Sequence, residues 1–494
     1  MAISILQSPS QLQPVYNPII LALDSTQKAQ TNFTYIIKIE VDGNEVVALP
    51  ISSNIDGYGV IDAHKHIENY VTNSIDTTSL ATFRKIEDSY VEYSFKLFEQ
   101  YDVSGTTTQF SAATYTATTY AYNGVEDWLD FRNYDYTDYV ISSASTGNFL
   151  CTIPTDGVTM KTTDSSYINF YNQTTNTTNF LEVTTSNGGV YRITNPWQTS
   201  VAATKFLQAA IGPFNIANTT STVTMMSGTY PIIQDTTEYY DVRLLDVSGN
   251  PTSQSIRVNI DRRCSKYDTY QMLYLDKSGS YLNFNFDLAH KVNTTVSKKS
   301  YNKRLGSFNP NTLEWGYSLA DRSKKIMDVT INDKYTITSN WVTQADSNRI
   351  VDLISSPEVY QLLDGTVTYS AATTDNVVGY SNNGGLLQLT VTSHGLSLGT
   401  LVRLYDTIPA YNNVYAYITS IDTLNAFTVN LAYNGNTLTG IDKIDTQTIT
   451  VTSGDLIAVN IDTNSIETKQ KVNTKMINYT IDFSYTFTNY RQRN

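Results

Sequence analysis

Charge is scarce in this 494-residue chain: Asp, Glu, Lys and Arg together supply 16% of it. Histidine occurs four times and cysteine twice, at Cys151 and Cys264. Two cysteines cannot frame a chain of this size, which excludes a disulfide scaffold and predicts two free, buried thiols. No apolar run approaches the roughly 20 residues of a membrane-spanning helix. The longest, Ile19 to Leu23, is strand-sized. No Lys or Arg precedes Lys28 and no apolar core follows the first residues, so neither a secretory signal nor membrane insertion is expected. Basic residues form no broad face, and the net charge is −13, so no nucleic-acid partner is expected either. Asn-x-Thr triplets at Asn32, Asn172, Asn176, Asn218, Asn293 and Asn478 are chance in so Thr- and Asn-rich a chain.

What is abundant is tyrosine, at 37 positions. β-branched and aromatic residues suit a pleated, half-buried surface, while Asn, Asp, Gly and Ser supply turns, so the composition predicts a mainly all-β fold. Length predicts three or four domains at roughly 150 residues each. Phe33, Tyr35, Ile37, Ile39 and Val41 alternate with Thr34, Lys38 and Glu40, and Asp42-Gly43 marks a hairpin turn. Ala63, Ile67, Tyr70 and Val71 share a helical stripe, and Val91, Tyr93, Phe95 and Leu97 restore a period of two. Residues 1–102 therefore predict a β-sandwich of immunoglobulin or fibronectin-III size. Residues 103–262 read as a Thr- and Tyr-rich β domain, with a hairpin turning at Ser248-Gly249-Asn250-Pro251; beyond it, 264–286 reads as a strand pair joined at Ser278-Gly279. Residues 263–366 and 451–494 read as a C-terminal β domain with Lys298, Lys299, Lys303 and Arg304 in a basic loop. This domain carries a helix near 343–355, capped by Thr343 with Asp346 as partner, presenting Ile350, Val351, Leu353 and Ile354, and stopped by Pro357. Ile477, Tyr479, Ile481, Phe483, Tyr485 and Phe487 alternate as one strand. Between the halves of this domain, residues 367–450 read as a small inserted β-barrel. The expected fold is thus a set of multi-domain immunoglobulin- or fibronectin-III-like sandwiches with one inserted barrel and a few short helices.

Constellations for chemistry are thin. His64 and His66 would share a side on a strand but not on a helix, and no third ligand accompanies them. His394 belongs to a Gly turn, and His290 has no partner in sequence. No serine nucleophile setting, no Gly-Lys-Ser/Thr phosphate loop and no calcium loop is read. Catalytic, cofactor-binding and metal-binding residues are accordingly expected to be none. The densest segment is 124–139, where Glu126, Asp127, Asp130, Asp135 and Asp138 interleave with Trp128, Phe131, Tyr134, Tyr136 and Tyr139. Paired carboxylates beside aromatic platforms could cleave or bind a glycan. The same rings could anchor a loop or meet a neighbouring subunit, and this packing or interface role is the expectation.

The inserted module, with His394-Gly395-Leu396, Gly399, Val402, Tyr411-Asn412 and Ala426-Phe427-Thr428-Val429, resembles small β-barrel domains of phage tail and tail-fibre proteins. Around it, a helix, Ile354-Ser355-Ser356-Pro357-Glu358-Val359-Tyr360, the last strands and Tyr490-Arg491-Gln492-Arg493 resemble the C-terminal module of structural proteins from crAss-like and other Bacteroidetes-infecting phages. Pro14, Tyr16-Asn17-Pro18 and Asp56-Gly57-Tyr58-Gly59 are similar to the start of the same proteins. The resemblance covers about half the chain and supplies no catalytic residue. It implies a non-enzymatic component of a virion tail, assembled in the host cytoplasm: a ring, hub, baseplate-like or fibre-attachment subunit. Other tail proteins and further copies of the chain in a symmetric homo-oligomer would be its partners. A receptor-binding fibre contacting host surface glycan is the alternative, and a tailspike glycan hydrolase is the more distant one.

Overall fold

The structure, a computed structural model, describes every residue except 1–2, 78, 143–145, 155, 174–176, 199–204, 406–410, 436–441, 453, 467–475, 487–489 and 492–494. The fold is all-β and multi-domain, and of the described α-helices only Gln344–Ser355 exceeds five residues. Two compact units are formed, Met1–Arg262 with Leu275–Asn283 and Asp364–Asp455, and Arg263–Tyr274 with Phe284–Leu363 and Leu456–Asn494. The segment Asp364–Asp455 interrupts the chain of the second unit yet belongs to the first.

The first unit opens with a sandwich. Five strands run in the order Leu12–Pro14, Thr106–Tyr122, Tyr90–Val103, Thr34–Val41, Asn44–Ile51, and three more run Ile3–Gln7, Ile20–Ser25, Gly59–Asp62. Thr106–Tyr122 lies beyond residue 102 but pairs along Tyr90–Val103, so the first sheet reaches past that position. Alternation puts Tyr35, Ile37, Ile39, Val41, Val91, Tyr93, Phe95 and Leu97 into one core with Leu21, Leu23 and Ile61 of the smaller sheet. Each such side chain contributes about 1.5–3 kcal/mol by leaving water. Asp42 and Gly43 both take positive φ, the geometry of a two-residue hairpin turn. Helix His64–Ile67 and the 3-10 turn Glu68–Tyr70 bury Ala63, Ile67 and Val71, but Tyr70 faces solvent.

A six-stranded sheet follows in the order Val158–Lys161, Ile256–Asp261, Tyr239–Leu245, Phe180–Thr185, Val190–Thr194, Val223–Ser227. Its centre carries a charged cross-strand row. The buried Glu182 carboxylate faces Arg192 on one side and Arg243 on the other, with Nε at 3.2 and 2.9 Å. Beside it, Tyr167–Asn172 and Phe206–Ala210 pair antiparallel and are buried at every position. Burial on both faces erases alternation, so polar Asn169 must be satisfied inside: its side chain donates to the Gly279 carbonyl and accepts from Gln208. In the inserted segment, seven antiparallel strands run Thr366–Val377, Asp442–Thr452, Leu401–Tyr405, Val414–Thr423, Ala426–Ala432, Leu386–Thr390, Gly379–Asn383 around one core. The strands at the two ends of that order are consecutive in the chain, joined through Val378.

One turn recurs four times in this unit: Asn54–Tyr58, Thr185–Gly189, Asp246–Asn250 and Asp276–Ser280. In each, the first residue's N–H donates to the fifth residue's carbonyl and the fourth residue's N–H to the first residue's carbonyl. The fourth residue is a glycine with positive φ. The first side chain accepts the fifth N–H, at 2.8 Å for Asn54, 3.1 Å for Thr185, 2.8 Å for Asp246 and 2.7 Å for Asp276. Burial pushes the Asp246 carboxyl up, but hydrogen bonds from Asn250, Ser248 and Gly249 outweigh it and hold the group below the usual carboxylate range. These carboxylates are committed to backbone.

The second unit's sheet runs Lys291–Asn302, Lys324–Thr338, Thr480–Tyr485, Leu456–Ile461, Val359–Leu362, Tyr270–Leu275. Thr343 caps the helix, its hydroxyl accepting from the Asp346 N–H and donating to the Asp346 carboxylate at 3.0 Å; Ser356 ends it. Ile350 and Leu353 are buried, whereas Val351 points to water and buried Ser347, Arg349 and Asp352 share the inner face. The alternating stretch from Ile477 is broken into Met476–Ile477, paired with Val342–Thr343, and Thr480–Tyr485. Tyr479, Ile481 and Phe483 are buried, and Phe487 lies outside the described residues. Both cysteines are free thiols, but Cys264 is exposed and Cys151 half-buried, because neither sits on a strand face.

Two outcomes follow for stability. Gly279 has φ +87, and an added Cβ would run into the Asn123 carbonyl, whereas Gly43 at φ +77 has open space. Gly279→Ala should lose at least about 3 kcal/mol in urea unfolding and Gly43→Ala only about 1 kcal/mol. Burial raises Tyr35, Tyr139, Tyr171 and Tyr485 to about 12. A raised folded pKa means full stability below the unfolded value of about 10 and loss as pH climbs toward the folded one. Circular dichroism with tyrosinate absorbance should therefore show unfolding and a late batch of tyrosine ionisation together in that window.

Candidate functional site

Segment 124–139 is held by backbone before its side chains matter. The Val125 N–H donates to the Lys277 carbonyl at 2.7 Å, and Asn17 clasps Glu126 through both main-chain groups, at 2.7 and 2.9 Å. Asp127 pairs with Lys277 at 2.9 Å, an exposed contact worth under about 1 kcal/mol. One helical turn, Trp128–Phe131, and a 3-10 turn, Tyr136–Tyr139, then set the rings. Phe131 stacks on Tyr134 at 6.0 Å, and Tyr134 on Tyr139 at 5.6 Å. The Tyr134 hydroxyl donates to the Leu12 carbonyl at 2.9 Å. Tyr136 and Tyr139 pack on a core of Leu12, Tyr120, Tyr122, Tyr171 and Phe206. Burial, then the nearby charge of the Tyr139 phenol, pushes the Tyr134 hydroxyl well above its ordinary value.

Four of the five rings therefore face inward. Trp128 alone stands out, 74% exposed, beside Leu129 at 82%, a residue the sequence reading did not single out. Nothing in a four-residue turn announces which of Trp128, Leu129 and Phe131 will be buried. A shallow pocket of about 430 Å³ adjoins Trp128 and Phe131, lined otherwise by Gln7, Ser8, Pro9, Ser10, Gln13, Pro18 and Ile20. Two of the segment's carboxylates have structural partners, Asp127 in its pair with Lys277 and Asp135 in a turn. Asp135 caps the 3-10 turn through the Thr137 N–H at 2.9 Å, which holds its carboxyl below the usual range.

The remaining candidates resolve into structural roles. His64 lies in a helix and pairs with Asp62 at 2.8 Å, so His64 and His66 do not share a strand face. No group of three metal-ligating side chains occurs among the described residues. The reading of serine motifs passed over one G-x-S-x-G spacing, Gly395-Leu396-Ser397-Leu398-Gly399. A nucleophile elbow needs a strand-to-helix turn. Here the segment joins strands Leu386–Thr390 and Leu401–Tyr405. His394 serves the fold as well: its Nδ1 accepts from the Leu396 N–H at 3.0 Å, its Nε2 lies 3.1 Å from the Thr423 carbonyl, and its ring meets Phe427 edge-on. A larger cavity of about 520 Å³, near Tyr230, Ile232, Leu398 and Tyr417, has no Asp, Glu, Lys, Arg or His among its described lining residues.

A second surface was only half-read from sequence. Lys298 and Lys299 lie on strand Lys291–Asn302, not in a loop; Lys303 and Arg304 begin the turn beyond it. This strand is exposed at every position, forms a sheet edge, and pairs with Lys324–Thr338 alone among the described residues. Past it a small hairpin, Ser307–Asn309 with Glu314–Gly316, aligns Phe308 opposite Trp315, and Arg304 lies 4.2 Å over the Trp315 ring. Val292, Val296, Tyr301, Phe308, Leu313, Tyr317, Leu319 and Met327 are exposed along this arm.

Tyr134→Phe should cost about 1 kcal/mol for its lost hydrogen bond. Trp128→Ala should shift stability by less than about 0.5 kcal/mol, since its ring is mostly in water already. Thermal unfolding of both variants checks the division between packed and presented rings. Neither a protein-family model nor a curated protein matches this chain.

Proposed function

We propose that this chain is a non-enzymatic structural component of a tailed-phage virion, placed in the tail and working by protein–protein contact. The observation that carries the reading is the arm from Lys291 to Thr338. Between Thr330 and its tip the arm is two-stranded among the described residues, and a two-stranded ribbon on its own is at best marginally stable in water. An edge strand of twelve residues with apolar side chains in solvent is a template for another protein. Such a surface is a liability in a free molecule and an asset in an assembled one. The sequence resemblance to tail modules supplies the kind of assembly, and the commitment of Asp135, Asp246 and Asp276 to backbone turns fits a chain without catalysis.

Mass spectrometry and electron cryomicroscopy of the source particle test this. The expected result is several symmetric copies of the chain in the tail, with the arm covered. A particle lacking the chain, or release of reducing ends from host polysaccharide by the purified protein, would overturn it.

A second reading, a fibre or adhesin gripping host surface glycan, is favoured by one feature: exposed Trp128 at the lip of a pocket lined by Gln7, Ser8, Ser10 and Gln13. Aromatic rings with small polar neighbours suit a sugar face. On that reading Trp128→Ala should abolish binding on a glycan array while leaving assembly intact.

A further inference from the structure

Between Lys291 and Lys325 the chain has eight Lys and Arg against Glu314 and Asp321, a net of +6. The whole carries −13, which leaves −19 on everything else. The arm is thus a cationic, apolar element on an anionic protein. Pairing of two arms edge to edge in parallel register is disfavoured, because Lys291, Lys298 and Lys299 would each meet the same lysine of a second copy. The opposite surface is present elsewhere in the chain. Segment 124–139 has five carboxylates against Arg132 alone, and at its exposed turn Trp128 and Leu129 stand in water between Asp127 and Asp130.

Resting on the assembly reading above, we infer that the arm of one copy docks on the acidic, Trp128-bearing segment of the next copy. Each surface has an apolar centre, Phe308, Leu313 and Tyr317 on one side and Trp128 with Leu129 on the other, and charges of opposite sign around it. That is the arrangement of an interface with an apolar middle and a polar rim. Leu313 strengthens the case: it holds φ +57 at the tip of the small hairpin with its side chain 74% exposed. A contact between two different patches is heterologous, so it propagates from copy to copy and closes into a ring or runs on as a filament.

Charge exchange on the full-length protein tests the contact by sedimentation velocity. K298E/K299E/K303E/R304E reverses the arm, and D130K/D138K reverses the patch; all six positions are exposed, so folding is checked by an unchanged melting curve. Each variant alone should self-associate at least about tenfold more weakly than the unmodified chain. Mixing the two should restore association, since the reversed arm then meets the reversed patch. Raising the ionic strength to about 1 M, where the Debye length is about 3 Å, should weaken the unmodified assembly. A chain that stays monomeric, or one whose association ignores both reversals, overturns the inference. If that chain nonetheless occurs in symmetric copies within the particle, the structural reading stands and only this contact falls; if it is missing from the particle, both fall.

Discussion

A tyrosine hydroxyl reaching a backbone carbonyl is the contact on which this fold leans repeatedly. Tyr35 donates to Gly57, Tyr134 to Leu12, Tyr191 to Thr229, Tyr240 to Ile211 and Tyr411 to Ala432. In each case the ring fills a core while its polar end ties that core to a loop or an adjoining strand. A phenylalanine would fill the space and leave the carbonyl without its donor, a loss of about 1–3 kcal/mol when the group is buried. Eight of the twelve largest fully buried side chains are tyrosines. Tyrosine is thus the commonest large side chain in the described interiors, while Tyr16, Tyr70, Tyr267, Tyr301, Tyr317 and Tyr415 stand in water. A chain with few charges and large, thin sheets needs residues that bury area and satisfy backbone at once, and tyrosine does both.

The same economy explains what could be read in the sequence. Where one face of a sheet is wet, as in Thr34–Val41, the period of two is plain in the residues and the strand follows. The helix at Gln344–Ser355 was legible because Thr343, Asp346 and Pro357 act locally, through a cap and a steric stop. Tyr167–Asn172 was not, because a strand buried on both sides has no polar face to mark it, and Asn169 and Asn172 look like loop residues until their buried partners are known. Val351 shows the converse limit. It belongs to an apolar run, but the helix's inner face carries Ser347, Arg349 and Asp352 beside Ile350 and Leu353, and burial of those polar groups depends on tertiary partners.

Legibility of the candidate site divides along the same line. Composition located the aromatic and acidic cluster at 124–139, yet gave no means of ranking its rings. Their orientation is set by distant groups: Leu12, Asn17 and Lys277 fix the segment by main-chain contacts more than a hundred residues away in sequence. The arm was harder. Its apolar residues alternate with polar ones well enough to read as an ordinary strand pair, and their exposure among the described residues is invisible until the sheet order shows that Lys291–Asn302 is an edge. What remained visible was charge, as four basic residues close together, and charge is the property that separates the arm from the rest of the molecule.

That separation bears on geometry as well as affinity. Twelve residues of strand at about 3.3 Å each make this edge about 40 Å long, and a paired ribbon of this kind is far stiffer than a flexible linker of equal length. A stiff cationic element fixes the spacing of whatever it grips, whereas a disordered basic tail would only raise local concentration. The bulge between Lys299 and Ser300 adds local twist to this edge of the parent sheet. Edge pairing in register with that sheet is disfavoured by such a twist, and side-chain docking at the tip is favoured. The arm thus combines an exposed edge that would aggregate if flat with two devices, lysines and a bulge, that steer it away from its own kind.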